Sequence, residues 1–193
     1  MKKNYIRNWR FDLKSMAVVG ALLFAGTASA QLNGTYTINS SGGDFASFTE
    51  LQDTLDSKGV SGAVIINVAS GTYSETFELN DITGSSSTNT ITINGGGALI
   101  TSSSSETINV EDALYITFRD LLIQNTGSSG ECMVIQGESS YITVDSSEFI
   151  KRNGSRTSSQ SIYLMISEGT SAFGNGSAEK THITISNNYF HNG

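Results

Sequence analysis

Proline is absent from this chain of 193 residues, and cysteine occurs only once, at position 132. A single cysteine excludes an intramolecular disulfide, so burial of apolar side chains and backbone hydrogen bonds must hold the fold. Proline cannot donate a hydrogen bond to a strand ladder, and its absence suits a protein in which nearly every strand N–H is paired. The composition therefore favours stacked β-structure without disulfide cross-links.

Basic residues are also scarce, and nearly half of them lie at the N-terminus. Five of the eleven lysines and arginines, but only one of the eighteen acidic residues, fall within the first thirty positions. Residues 31–193 therefore carry six basic and seventeen acidic side chains, a net charge of −11. This balance disfavours nucleic acids and anionic membranes as partners. It equally disfavours an acidic polysaccharide, unless a divalent cation bridges the two surfaces.

Long apolar runs are missing except for one near the start of the chain. Residues 1–14 carry all five N-terminal basic side chains, residues 15–24 are mostly apolar, and Ala28-Ser29-Ala30 follows. This order is typical of a secretory signal peptide, and the apolar run is too short to span a bilayer. We expect cleavage after Ala30 and export of residues 31–193 to the cell surface or the medium. A retained N-terminal membrane anchor is the alternative.

A pattern of apolar, polar and apolar residues recurs four times after this segment. The copies are Ile91-Thr92-Ile93, Ile116-Thr117-Phe118, Ile142-Thr143-Val144 and Ile183-Thr184-Ile185. Successive copies are 25, 26 and 41 residues apart, a spacing typical of repeat architectures rather than of hairpins. The alternation predicts strands with one buried face. The sequence therefore predicts an all-β fold, a right-handed parallel β-helix, with the isoleucines stacked inside and the threonines outside.

Polar residues follow the later copies of the pattern and predict the bends between strands. They are Arg119-Asp120, Asp145-Ser146-Ser147 and Ser186-Asn187-Asn188. Asn and Asp tolerate left-handed backbone better than most residues, so we expect one left-handed residue in each bend.

Residues 47–58 are predicted to form one amphipathic helix ahead of the first rung of the solenoid. Ser47 and Glu50 have the spacing of a capping box, and Gly59 suits the C-terminal end. The predicted apolar face consists of Phe48, Leu51 and Leu55. We expect this face to cover the bottom of the solenoid, because the first rung has no neighbour beneath it.

The longer interval before the fourth copy predicts a loop over about residues 168–181, which contains Phe173. Long loops on rigid scaffolds often carry binding residues, so Phe173 is a candidate for carbohydrate contact. The chain stops soon after the fourth copy without a polar cap, and open strand edges invite association. We therefore expect residues 31–193 to be the N-terminal part of a longer β-helix domain. Further rungs or another chain would lie at the C-terminal edge.

Two segments resemble the N-terminal part of pectinesterase-like β-helix proteins, within the pectin lyase-like superfamily. They are Gly43-Asp44-Phe45-Ala46-Ser47-Phe48, and Val64-Ile65-Ile66-Asn67-Val68 followed by Gly71-Thr72-Tyr73-Ser74-Glu75. The resemblance covers roughly residues 40–100 and implies the N-terminal cap and first rung, which carry no chemistry in that family. Beyond this region, the similarity is limited to the general β-helix repeat.

The pectinesterase family also has a catalytic signature, Gln-Asp-Thr-Leu, and the same four residues occur here as Gln52-Asp53-Thr54-Leu55. In pectinesterases the signature lies several rungs later, on the open face. Here it falls inside the predicted helix, where Leu55 is needed on the buried side. We interpret it as part of the helix and assign no catalytic residue to this chain.

Other chemistries lack an assembled set of residues. A glycosidase needs two facing carboxylates, but Glu111 and Asp112 are sequential and would point to opposite faces of a strand. Asp120 and Asp145, from adjacent rungs, are the two candidates for a metal site, and calcium is the ion that their oxygens would suit. The sequence fixes no ligand set, so we predict no cofactor.

Three residues that precede the isoleucines of successive rungs predict an outward aromatic column: Tyr115, Tyr141 and His182. Such rings are a common platform for sugars, so these residues are the candidate carbohydrate-binding site; a stabilising stack without binding is the alternative. We predict a non-catalytic, exported scaffold of a bacterial surface or secretome that serves adhesion or carbohydrate contact. The alternative is a polysaccharide-active lyase, hydrolase or esterase whose catalytic residues lie beyond Gly193.

Overall fold

The computed structural model describes residues 30–151, 163–166 and 182–192. Within these ranges the chain forms a parallel β-solenoid of about five turns, as the repeat predicts. The predicted signal peptide up to residue 29 and the predicted loop that contains Phe173 lie outside the described residues.

One helix and thirteen strands are present in the described ranges. In chain order they are β1 (Leu32–Ile38), α1 (Phe48–Lys58), β2 (Val60–Val68), β3 (Thr72–Ser74), β4 (Phe77–Leu79), β5 (Ile91–Ser102), β6 (Glu106–Glu111), β7 (Leu114–Asn125), β8 (Glu131–Gln136), β9 (Ser140–Asp145), β10 (Glu148–Lys151), β11 (Leu164–Ile166), β12 (Thr184–Ser186) and β13 (Tyr189–Asn192).

The described strands pair in parallel and form two sheets. One sheet has the order β1-β2-β5-β7-β10-β13, with β3, β9 and β12 also paired into it, and the other has the order β4-β6-β8-β11. The register between β5 and β7 shifts between Asn94 and Ala98. This irregularity, a bulge, allows the long strands to turn a corner of the solenoid without leaving the sheet.

The register between rungs is the one that the Ile-Thr pattern predicts. Ile91 pairs with Ile116, Ile116 pairs with Ile142, and all three side chains are fully buried. One residue later the threonines pair in the same way, in the order Thr92, Thr117, Thr143, Thr184. A slip of one residue would expose every isoleucine of the column to water. Each buried isoleucine contributes about 1.5–3 kcal/mol of stabilising free energy, and this gain specifies the register.

A second inward column ends in a partly uncovered rung. Its buried members are Ile93, Phe118 and Val144. Ile185, which pairs with Val144, is 38% exposed. Phe190 stacks on the buried ring of Phe149 with ring centroids 4.8 Å apart, and it is 42% exposed. The inward-facing side chains of the last described rung therefore keep contact with solvent.

Helix α1 packs against β1 and β4 and forms the predicted cap. The Ser47 hydroxyl accepts a hydrogen bond from the N–H of Glu50 at 3.1 Å, and Gly59 ends the helix with a φ of 65°. The predicted apolar face, Phe48, Leu51 and Leu55, is fully buried. One detail of the capping box differs, because the Glu50 carboxylate accepts from the N–H of Ala46 at 2.7 Å rather than from that of Ser47.

A second carboxylate caps α1 from the neighbouring rung. The Glu75 carboxylate accepts from the N–H groups of Phe48 and Thr49, both at 3.0 Å, and from the Thr49 hydroxyl at 2.7 Å. These N–H groups have no partner within the helix, and the negative charge suits its N-terminus. Sequence reasoning missed this contact because 27 residues separate Glu75 from Phe48.

The predicted bends contain left-handed residues, although Asp120 lies at a corner within the continuous strand β7, whereas Ser146 and Asn187 lie between strands. Asp120, Ser146 and Asn187 have φ values of 54°, 51° and 54°. Each occupies the polar segment that follows a copy of the Ile-Thr pattern, so this prediction is confirmed at all three bends.

Candidate functional site

Tyr115, Tyr141 and His182 form one continuous stack, which we call the aromatic column. The ring centroids of Tyr115 and Tyr141 are 4.5 Å apart with planes inclined by 10°, and those of Tyr141 and His182 are 4.3 Å apart with planes inclined by 9°. Tyr141 is 41% exposed. The structure therefore brings together three of the four predicted carbohydrate-binding residues, and the fourth, Phe173, lies outside the described residues.

The backbone of the aromatic column is left-handed, which the sequence did not predict. Tyr115, Tyr141 and His182 have φ values of 59°, 59° and 61°. Bulky residues rarely adopt this conformation, and it costs of order 1 kcal/mol or more unless the surroundings compensate. Ring stacking of about 0.5–1.5 kcal/mol per pair is a compensation of suitable size. The repeated strain marks this column as a specialised feature of the solenoid.

Stacking determines which parts of Tyr141 can meet a ligand. Both faces of its ring are covered, one by Tyr115 and the other by His182. A sugar ring therefore cannot lie flat on Tyr141 while the column is intact. None of the three side chains forms a hydrogen bond within the described residues, so ring edges, tyrosine hydroxyls and the imidazole remain as contact groups.

Two polar columns run beside the aromatic column along the solenoid axis. One is the threonine column, formed by Thr92, Thr117, Thr143 and Thr184. The other comprises Asn67, Asn94, Arg119, Asp145 and Ser186, paired in that order between rungs. The Asn94 amide donates to the Asn67 amide oxygen at 3.0 Å. This face therefore repeats threonine hydroxyls at the rung spacing of about 4.8 Å, beside a column that changes from amides to a pair of opposite charges and then a hydroxyl.

The two predicted metal ligands occupy different positions in the register. Asp145 pairs with Arg119, whereas Asp120 is the left-handed residue that follows. One oxygen of Asp145 accepts from the Ser186 hydroxyl at 2.6 Å and from the Asn187 amide at 2.8 Å. Within the described ranges, no group of three or more His, Cys, Asp or Glu side chains could hold a metal ion.

Asp145 gives rise to a pH-dependent prediction. The Ser186 hydrogen bond, followed by that from Asn187, lowers the pKa of Asp145 below its ordinary value of 3.8. Such a group stabilises the fold above its unfolded pKa, and this contribution is lost as pH falls through the folded pKa. Asp145→Asn is therefore expected to lower the urea midpoint at neutral pH and to differ less from the parent below pH 3.8.

The matched control for Asp145→Asn is Asp81→Asn. Asp81 is exposed, and its carboxylate accepts no hydrogen bond in the described part of the chain. The control should show no such loss at neutral pH. A deficit of Asp145→Asn that stays constant from neutral to acidic pH would contradict the assigned role of the carboxylate.

Two of the remaining carboxylates that the sequence singled out bind the neighbouring rung, and the third lies on the helix. Glu111 accepts from the Gln136 amide at 3.2 Å, and Asp112 accepts from the N–H of Glu138 at 2.6 Å. In the pectinesterase-like signature, Asp53 is exposed on α1 and Leu55 is buried. These positions favour turn and helix roles rather than a pair of facing catalytic carboxylates.

The single cysteine is unsuited to nucleophilic chemistry. Cys132 is fully buried, and its thiol donates to the carbonyl of Ile150 at 3.3 Å. Burial raises the pKa of Cys132 to about 11. Because the thiolate is the reactive form, this side chain is inert at neutral pH.

Sequence reasoning missed a hydroxyl-rich groove of about 660 Å³ on another corner of the solenoid. Its lining residues come from three successive rungs: Ser74, Glu75, Thr76, Thr101, Ser102, Ser103, Ser104, Gln124 and Thr126. The serine run at 102–105 is the signal in the sequence that could have indicated it. The groove is a second polar surface that polyhydroxylated ligands could contact.

Comparisons with known proteins do not assign this chain to a family. No family model, curated protein or solved structure matches it. Among the described residues, no helix has the length and apolar character needed to span a membrane. The function must therefore be inferred from the parallel β-solenoid and the geometry of its surface.

Proposed function

We propose that this chain is an exported β-solenoid protein that contacts carbohydrate without catalysing its conversion. The observation that carries the proposal is the aromatic column, whose rings offer edges and polar groups that make no hydrogen bond within the described residues. The site we propose consists of this column and the neighbouring threonine column. Bacterial surface adhesion is the role that such a scaffold would serve.

The repeat of the solenoid suits an extended polysaccharide better than a small ligand. Neighbouring rungs present the same kinds of side chain about 4.8 Å apart, so a chain lying along the axis would meet similar groups at each step. Tyrosine hydroxyls, the His182 imidazole and threonine hydroxyls supply both donors and acceptors. Since the faces of Tyr141 are covered, we propose contact through hydroxyl groups and ring edges.

The net negative charge of the protein favours a neutral glycan as the proposed ligand. Residues 31–193 carry a net charge of −11, which repels uronic acid polymers. In the column beside the threonines, Arg119 lies next to Asp145 in the register, so the two charges largely offset each other. A neutral polysaccharide would meet neither strong repulsion nor strong attraction at this face.

We further infer that the chain is a distant relative of the pectinesterase-like proteins in the pectin lyase-like superfamily. The two motif segments contact each other through Glu75 of the second and Phe48 of the first. This contact gives a physical reason for the two segments to occur together, since one supplies the helix start and the other its cap. It supports a shared cap and implies nothing about shared chemistry.

A polysaccharide-active enzyme is the second candidate, because the partly uncovered last rung offers an edge on which further rungs with catalytic residues could pack. Ile185 and Phe190 have the pattern of inward residues that are fully buried one rung earlier. The occupant that we propose for this edge is a further parallel rung with apolar residues in matching register. A lyase, hydrolase or esterase would carry its catalytic residues on such rungs.

The proposed function is tested by binding of the exported protein to an array of neutral, acidic and cationic glycans. We expect retention on a neutral polysaccharide, and Tyr141→Asn is expected to weaken it about tenfold, the effect of losing a central tyrosine contact. Asparagine tolerates the left-handed backbone, so the variant should remain folded. The matched control is Tyr189→Asn, an exposed tyrosine outside the aromatic column.

Two results would contradict this proposal. Absence of binding to every glycan, or equal binding by the parent and Tyr141→Asn, would exclude the aromatic column as the site. Turnover of pectin or alginate that is abolished by Asp120→Asn or Asp145→Asn would favour the enzyme over the scaffold.

A further inference from the structure

Lys151 is buried at a corner of the solenoid, although its side chain is one that normally carries a charge. The side chain is 1% exposed, and its ammonium donates to the carbonyl of Gly130 and, at 3.3 Å, to the amide oxygen of Asn125. Within the described ranges no carboxylate lies within 4 Å of it. Lysine is almost never fully buried without an acidic partner, because burial of a charge costs free energy.

Asn125 is held next to Lys151 in a single orientation. The two residues are direct partners on neighbouring parallel strands, β7 and β10. The Asn125 amide nitrogen donates to the carbonyls of Ser104 and Glu131, both at 3.0 Å, which distinguishes it from the amide oxygen. That oxygen accepts from the N–H of Gly127 at 3.0 Å as well as from Lys151. The Gly127 N–H remains a donor to this oxygen when the Lys151 amine attacks, and it polarises the carbonyl carbon.

Glu131 contacts this pair through its main-chain carbonyl, which accepts from the Asn125 amide, and its carboxyl group lies nearby. Burial, and then the charge of Glu106, raise the pKa of Glu131, while the nearby Lys151 ammonium partly opposes the rise. A carboxylate whose protonation is made easier in this way is suited to exchanging protons with an amine. Lys151 and Asn125 are thus buried together at one corner of the solenoid, and the half-buried Glu131 lies at its edge, with its carboxylate more than 4 Å from the ammonium.

We propose that Lys151 and Asn125 join in an intramolecular isopeptide bond, and that Glu131 receives the released proton through water. The Lys151 amine attacks the side-chain carbonyl carbon of Asn125, so that a bond from Nζ to Cγ forms and the bond from Cγ to Nδ2 breaks. Of the three ammonium protons, one stays on the new amide, one leaves with Nδ2 as ammonia, and one passes through water to Glu131, which returns it to the solvent. The reaction needs no oxidant, metal or cofactor.

The bond would remove the free-energy cost of burying the Lys151 charge, and it would cross-link neighbouring rungs. A neutral amide replaces the buried ammonium, which removes the cost of the charge. The new bond would close a covalent ring between positions 26 residues apart. A disulfide cannot provide such a cross-link within this chain, which has a single cysteine. Closing a loop of this length restricts the unfolded chain and so stabilises the fold.

Mass spectrometry of the purified full chain tests the proposal. We expect an intact mass lower than the sequence mass by one ammonia, after allowance for any N-terminal processing. Digestion of the denatured protein with trypsin should fail to cut after Lys151 and should yield the peptide from Asp120 to Arg152, also lower by one ammonia. Cleavage of that peptide after its glutamates should leave the fragment with Asn125 joined to the fragment with Lys151.

Three variants complete the experiment. Lys151→Arg keeps a buried cation and Glu131→Gln removes the proton acceptor; both should show the full sequence mass. The matched control Glu138→Gln, at an exposed position, should retain the lower mass. A full-mass parent protein overturns the proposal, and so does an ammonia loss that leaves Lys151 open to trypsin, because a succinimide at Asn125 would produce it. Retention of the lower mass in Glu131→Gln overturns the role of Glu131.

Discussion

Replacing Phe118 with alanine is expected to lower the free energy of unfolding by about 3–5 kcal/mol. The ring is fully buried, and it lies between Ile93 and Val144 in the inward column of the central rungs. Removing it leaves a cavity that the stacked strands cannot close, because their spacing is held by backbone hydrogen bonds. Urea unfolding followed by circular dichroism measures the loss.

The matched control for Phe118→Ala is Thr117→Ala, one residue earlier on the same strand. Thr117 belongs to the outward threonine column, so its truncation removes little buried surface and should cost less than about 1 kcal/mol. If the two variants lose similar stability, the assignment of inward and outward faces in β7 is wrong. In a repeat protein the damage should also be greatest in the rungs next to the substitution.

Phe48→Ala is expected to have a comparable effect, about 3–5 kcal/mol, at the N-terminal end of the solenoid. The buried Phe48 ring contacts Phe77 and Tyr73, with ring centroids 5.0 and 5.3 Å apart. Without it, helix α1 would lose its principal anchor and the first rung would be exposed. We expect self-association as well as lower stability, because uncovered strand edges pair with other chains. Size-exclusion chromatography and urea unfolding measure the two effects.

Asp53→Ala is the control for the cap, because Asp53 lies on the exposed side of α1. This variant should keep the stability and oligomeric state of the parent. It also tests the resemblance to the pectinesterase signature, since a catalytic Asp53 would be essential for any turnover of methylated pectin. Loss of such turnover in a stable Asp53→Ala protein would show that the signature is functional in the helix.

The features that sequence reasoning predicted correctly depend on local alternation and local capping. The inward position of Ile116 and the outward position of Thr117 follow from the period of two along a strand with one buried face. The start of α1 follows from Ser47 and Glu50, which are only three residues apart. Asp120 at a bend follows from its tolerance of left-handed backbone. These choices require no knowledge of the neighbouring rung.

The features that sequence reasoning missed depend on contacts between rungs. Tyr141 adopts a left-handed backbone although tyrosine has no preference for it, and rings from two other rungs cover both of its faces. Glu75 caps a helix that begins 27 residues earlier in the chain. Lys151 is buried against Asn125, which precedes it by 26 residues in the chain.

By itself the sequence determined the fold class, the order of inward and outward side chains, and the position of the capping helix. Periodicity and caps act within a few residues, so they can be read along the chain. Only the tertiary structure decided that Tyr141 is enclosed in a stack and that Lys151 meets Asn125. Stacking places residues about 26 positions apart in direct contact, and the exact match between rungs depends on every turn between them.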